Sequence, residues 1–83
     1  MKITVYERTT SYCGQCVAMK RSLDSKGLDY EAKTIEDQPD WWIEENKAEG
    51  RMMAPLTVVE YPSGGSVTVS GFRPDLVESL EAK

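Results

Sequence analysis

Residues 2–35 read as strand, helix, strand, and that order narrows the folds open to this chain more than any other feature. Residues 2–6 are rich in β-branched and aromatic side chains, as strands are. Over residues 14–26, Cys16, Met19 and Leu23 recur at helical spacing on one face, with Lys20, Arg21, Asp24 and Ser25 mostly elsewhere. Gly27 is a natural stop. Residues 28–35 read as a second, shorter strand. Two strands joined through a helix imply a right-handed crossover and parallel pairing. Asp37 with Pro39 then marks a helix start that should run to about Gly50, on weak apolar periodicity. Residues 56–60 and 66–70 bracket the turn-rich Tyr61-Pro62-Ser63-Gly64-Gly65 and predict an antiparallel hairpin. Pro74 opens a last helix carrying Leu76, Val77 and Leu80. The order βαβαββα predicts an α/β fold: a four-stranded mixed sheet flanked by three helices, on both faces, in one domain spanning residues 1–83.

The two cysteines, in Cys13-Gly14-Gln15-Cys16, fall where the first strand gives way to the first helix. Sulfurs three residues apart can close into a disulfide, and unpaired N–H groups at a helix start lower the pKa of a thiol facing them. Cys13, ahead of the first turn, is the expected nucleophile; Cys16, inside the helix, is the expected buried, resolving thiol. Cys13 attacks a disulfide, and Cys16 then attacks the mixed disulfide to release reduced product. A structural staple explains the pair poorly, because so short a loop removes little unfolded-chain entropy. Two inert thiols, or two ligands of a metal shared between chains, are the plainer readings of the same spacing.

Composition closes other routes. The chain has no histidine, so neither a Cys–His nucleophile pair nor a zinc site of the usual Cys and His kind can form within one chain. A net charge of −4, with Lys and Arg spread along the chain, argues against nucleic acid as partner. The first residues alternate polar and apolar and meet Glu7 and Arg8 early, unlike a signal peptide or membrane span. The expected compartment is the cytoplasm, where a disulfide is transient and catalytic. A monomer is expected.

Four landmarks in order resemble the glutaredoxin-like members of the thioredoxin superfamily, and more narrowly the NrdH-type redoxins. They are Ile3-Thr4-Val5-Tyr6, Cys13-Gly14-Gln15-Cys16 with Ala18, Ala54-Pro55 before a β-branched strand, and Ser70-Gly71-Phe72-Arg73-Pro74-Asp75. The last is the most specific. The resemblance spans nearly the whole chain. It implies a small dithiol electron carrier that holds no cofactor, uses NADPH indirectly through thioredoxin reductase, and delivers electrons to class Ib ribonucleotide reductase or other protein disulfides. The chain departs from the pattern around the site: the loop 7–12 is about two residues longer, Gly14 replaces a common valine, Met19 a threonine, and Val69 a tryptophan.

The resemblance also implies roles beyond the cysteines. Pro55 is expected to be cis beside them, aiming backbone groups of Ala54 at a docked peptide. Tyr12, Gly14 and Gln15 surround the pair, and one of Met52 and Met53 should be exposed as an adaptable apolar contact. Ser70 and Gly71 form a tight turn with Phe72, which stands where glutaredoxins carry a second glycine and should crowd a glutathione cleft. Arg73 is a donor and Asp75 a helix-start acceptor. One of Trp41 and Trp42 should lie in the core and the other be exposed, since adjacent helical residues do not share a face. Lys20, Arg21 and Arg8 either raise the potential near Cys13 or simply face solvent. A glutathione-dependent glutaredoxin is the alternative function, and a non-catalytic metal- or cluster-binding module a further one.

Overall fold

The computed structural model describes residues 1–9, 12–51 and 53–80. Its elements are β1 (Lys2–Glu7), α1 (Gly14–Ser25), β2 (Glu31–Thr34), a 3₁₀ turn (Ile35–Asp37), α2 (Asp40–Ala48), β3 (Leu56–Glu60), β4 (Ser66–Ser70) and α3 (Pro74–Ser79). The sheet order is β2-β1-β3-β4. β1 and β2 are parallel, as a crossover through α1 requires, whereas β1–β3 and β3–β4 are antiparallel.

Alternation along β1 and β3 divides the core in two. Ile3, Val5 and Val59 point to one face, where they pack with Met19, Leu23 and Leu28 and with Val77 and Leu80 from the C-terminal helix region. Tyr6 and Leu56 lie opposite one another on the other face, with Trp42 of α2 against Tyr6 at a ring separation of 4.7 Å. The second cluster, Cys16, Ile35, Ala54 and Leu56, therefore sits at the C-terminal end of β1, and Cys13 packs on it. The expected mixed sheet with helices on both faces is what forms, and the structure puts α1 and α3 on one face and α2 on the other.

Both ends of β2 and the start of α2 differ from the sequence expectation. Strand β2 begins at Glu31 rather than residue 28 because Leu28 closes α1: its N–H donates to Leu23 O (3.0 Å) and that of Gly27 to Asp24 O (3.0 Å), with Gly27 at φ +70°. Leu28 and Leu23 then meet in the core. Strand β2 also ends early, at Thr34, because Ile35 enters the 3₁₀ turn. Helix α2 starts at Asp40 because Gln38, ahead of Pro39, is held extended (φ −80°, ψ 153°). The only fully buried side chain on α2, Asn46, is satisfied by donating to Trp42 O (2.8 Å) and accepting from Arg51 Nε (3.1 Å). A polar residue in the buried position explains why the apolar periodicity of this helix is weak.

Candidate active site around Cys13 and Cys16

The site is assembled from three chain segments that meet beyond the end of β1. Cys13 caps α1 in an extended conformation, and its Sγ accepts the N–H of Cys16 at 3.2 Å. An N-cap acceptor at this position satisfies one of the helix's unpaired donors. The two sulfurs lie at disulfide distance, with Cα atoms 5.3 Å apart. Cys16 is 1% exposed, whereas Cys13 is half-buried and lines a surface cavity of about 230 Å³. The asymmetry between an accessible outer sulfur and a buried inner one is the geometry that the helix position dictates.

Arg8, Tyr12, Gly14, Gln15, Met53 and Ala54 complete the lining of that cavity. The Tyr12 ring is 86% exposed and folds over the helix start, so that a Cβ on Gly14 would touch it at 3.5 Å. Met53 is exposed, as expected for one of the methionine pair; Met52 lies outside the described residues, as do Thr10 and Ser11 in the loop before Cys13. Ala54 and Pro55 are buried, and the peptide bond between them is cis.

The Ser70–Asp75 segment divides into two parts. Its first half locks the site. Ser70 Oγ donates to Met53 O (2.8 Å) and accepts from Met53 N–H (3.2 Å). The Gly71 N–H donates to Pro55 O (2.8 Å) and Met53 O (3.1 Å), and that of Phe72 donates to Gln15 Oε1 (2.9 Å). Gly71 adopts φ +80°, and a Cβ there would lie 3.2 Å from Gln15 Oε1 and 3.3 Å from Met53 Sδ. Phe72 thus meets a cavity-lining residue, Gln15, through its backbone. Its ring packs against the core and lines a groove between α1 and α3 with Ala18, Arg21 and Ser22, away from the lining around Cys13. The second half stays outside the cavity. Arg73 and Asp75 form a two-pronged pair, Nε to Oδ1 at 3.0 Å and Nη2 to Oδ2 at 2.7 Å. The guanidinium hydrogen bonds hold the Asp75 carboxyl at about 2 and raise Arg73 in turn.

Of the basic residues near the motif, only Arg8 lines the cavity. Lys20 is occupied by Glu7, at 3.0 and 3.2 Å, and ties α1 to the end of β1. Arg21 faces the α1–α3 groove. Glu36, in the 3₁₀ turn, accepts from both the N–H and the hydroxyl of Thr9 (3.2 Å each), and so anchors the longer loop. That contact spans 27 positions and leaves no local pattern in the sequence. Trp42 packs beside Tyr6 at the cysteine cluster while Trp41 is 66% exposed, the division expected of adjacent helical residues. Among the described residues no group of three or more Cys, Asp or Glu side chains is gathered as a metal site, and no helix is long and apolar enough to cross a membrane.

Comparison with known proteins agrees with this geometry. The glutaredoxin family model matches residues 3–59. The glutaredoxin-like protein NrdH of Escherichia coli K12 is 34% identical over 80 residues, covering 96% of this chain and 89% of the relative, and that of Salmonella typhimurium matches to the same extent. The solved structure of the E. coli NrdH-redoxin, described as a glutaredoxin-like protein with a thioredoxin-like activity profile, superimposes with a TM-score of 0.77 at 32% identity, covering 100% of this chain and 99% of that one. The chain therefore belongs to the glutaredoxin family as an NrdH-type redoxin, a thiol–disulfide oxidoreductase with its CxxC cysteines, Cys13 and Cys16, at disulfide distance.

Proposed function

We propose that the protein is a cytoplasmic dithiol electron carrier, recharged by thioredoxin reductase at the expense of NADPH and spent on class Ib ribonucleotide reductase or other protein disulfides. One observation carries the reading: a half-buried Cys13 at the start of α1 opens onto a cavity, with a fully buried Cys16 one turn inside. Cys13 attacks the target disulfide as a thiolate stabilised by the N–H of Cys16 and the helix start. The target's leaving sulfur departs with a proton. Cys16 then loses its proton, attacks Cys13 Sγ in the mixed disulfide and expels the second target thiol, leaving the Cys13–Cys16 disulfide. Holding the two sulfurs on one helical turn makes the second step intramolecular and fast.

The surrounding residues position the partner. Tyr12 and Met53 offer exposed apolar contact on either side of the cavity, and Gln15, Ser70, Gly71 and Phe72 hold its walls in register. NADPH consumption with a disulfide substrate tests the electron source. Turnover with thioredoxin reductase but not with glutathione and glutathione reductase is the expected result, and the reverse pattern would make the protein a glutathione-dependent glutaredoxin.

A further inference from the structure

We propose that the outer edge of β4 is a self-association site, where a second copy of this chain adds antiparallel across a two-fold axis through Thr68. β4 ends the sheet, and β3 is the one element that packs extensively on it among the described residues. Its sequence, Ser66-Val67-Thr68-Val69-Ser70, reads the same in both directions. An antiparallel copy centred on Thr68 therefore sets Thr68 against Thr68 and Val67 against Val69, with each Ser66 opposite a Ser70. Self-complementarity of this kind is what a two-fold interface demands.

Backbone direction agrees. At one end of the hairpin the Tyr61 N–H donates to Gly65 O (2.8 Å), and at the other the Gly71 N–H donates to Pro55 O (2.8 Å). Hydrogen-bonded pairs alternate along an antiparallel ladder, so both ends assign Val67 and Val69 to bonding with Val59 and Thr57. The N–H and C=O groups of Ser66, Thr68 and Ser70 are left pointing outward. In the register centred on Thr68 these are the groups that bond across the new ladder, and Val67, 38% exposed, gains Val69 of the second copy as a close non-hydrogen-bonded neighbour.

The other sheet edge makes the contrast. β2 carries Glu31 and Lys33, charges of the kind that block edge pairing. β4 carries none. The monomer expected from sequence takes no account of this edge. A five-residue strand buries less than the roughly 1,200 Å² of a stable interface, so the association is weak and shows only at high protein concentration. With −4 on each copy and no charges at the proposed contact, added salt strengthens association by screening repulsion.

Sedimentation analysis of the reduced protein, in excess reductant to exclude cross-chain disulfides, tests the proposal. The expected result is a mass rising from monomer toward dimer with concentration, more steeply at higher salt. Thr68→Lys places like charges opposite one another and weakens association about two- to fivefold, mixing it with Thr68→Glu restores it, and Val67→Lys, at an exposed position, also weakens it. A monomer mass unchanged up to about 1 mM would overturn the proposal, as would undiminished association of either lysine variant, or a Lys and Glu mixture no better than Thr68→Lys alone.

Discussion

Gln15 Oε1 accepts the backbone N–H of Phe72 at 2.9 Å, a bond across 57 positions that fastens the helix carrying the redox pair to the turn ahead of α3. Gln15→Leu removes this acceptor from a partly solvated donor and should cost about 1 kcal/mol. Gln15→Glu keeps an acceptor there but sets a negative charge beside Cys13, so stability is retained while the reduced Cys13 thiol titrates higher. Chemical denaturation and thiolate absorbance against pH separate the two effects. A leucine variant as stable as the parent would show that the bond contributes nothing.

The two sulfurs have different surroundings, so their substitutions should differ in kind. Cys13→Ser removes the accessible attacking sulfur and abolishes disulfide reduction. Cys16→Ser leaves the attack intact but removes the buried resolving thiol, so a mixed disulfide between Cys13 and its target accumulates. Mass spectrometry of the protein after one turnover with a disulfide substrate detects that adduct. Equal retention of activity in both variants is incompatible with the mechanism.

Trp41 and Trp42 should separate just as sharply in stability. Trp42 packs on Tyr6 and the cluster holding both cysteines, and Trp42→Ala should cost about 2–3 kcal/mol, below the full-burial range because the ring is only half-buried. Trp41 is 66% exposed, and Trp41→Ala should fall within about 0.5 kcal/mol of the parent. Denaturation midpoints of the two variants settle the difference, and a costlier change at Trp41 would reverse the assignment.

The Arg73–Asp75 pair predicts a pH response with a definite sign. The Asp75 carboxyl is held at about 2, below the ordinary aspartate value of 3.8, chiefly by the Arg73 hydrogen bond. A depressed carboxyl contributes in full above its unfolded pKa, and the contribution fades as pH falls through the folded one, here between about 4 and 2. Arg73→Gln should return the carboxyl toward the ordinary range. Carboxyl-carbon NMR titration of Asp75 reads the shift directly, and an unchanged midpoint in the variant would remove Arg73 as its cause.

Periodicity and turn chemistry disclosed the sheet, the order of helices and the place of the cysteines, because these depend on contacts within a few residues of each other. Leu28 shows the limit. Its side chain reads as strand, but its N–H is used to close α1, and only the local geometry decides between the two. Phe72 shows another. As a bulky residue in a turn it reads as an obstruction, yet its ring finds the core between α1 and α3 and its backbone serves the site. Lys20 reads as able either to raise the potential near Cys13 or to face solvent, but Glu7 occupies it. The Thr9–Glu36 tie had no precedent in spacing at all. What remains hidden in sequence is which partner wins when a group has several.

Gly71 offers the sharpest test of how closely the site is packed. Both Gly71 and Gly27 have positive φ, at +80° and +70°, where an L side chain is disfavoured by about 1 kcal/mol. They differ in surroundings. A Cβ on Gly27 would meet nothing within 4 Å, so Gly27→Ala should cost that backbone term alone and leave activity unchanged. A Cβ on Gly71 would press on Gln15 Oε1 and Met53 Sδ, tighter than ordinary contact, and relief requires moving the acceptor of the Phe72 N–H or the wall of the cavity. Gly71→Ala should therefore cost about 2–3 kcal/mol and slow disulfide reduction as well. Because both variants carry the same backbone penalty, their difference isolates the packing between the Ser70–Phe72 turn and the cysteine helix. Equal stability and equal turnover in the two would mean that Gln15 and Met53 yield freely, and that the turn does not hold the site in place.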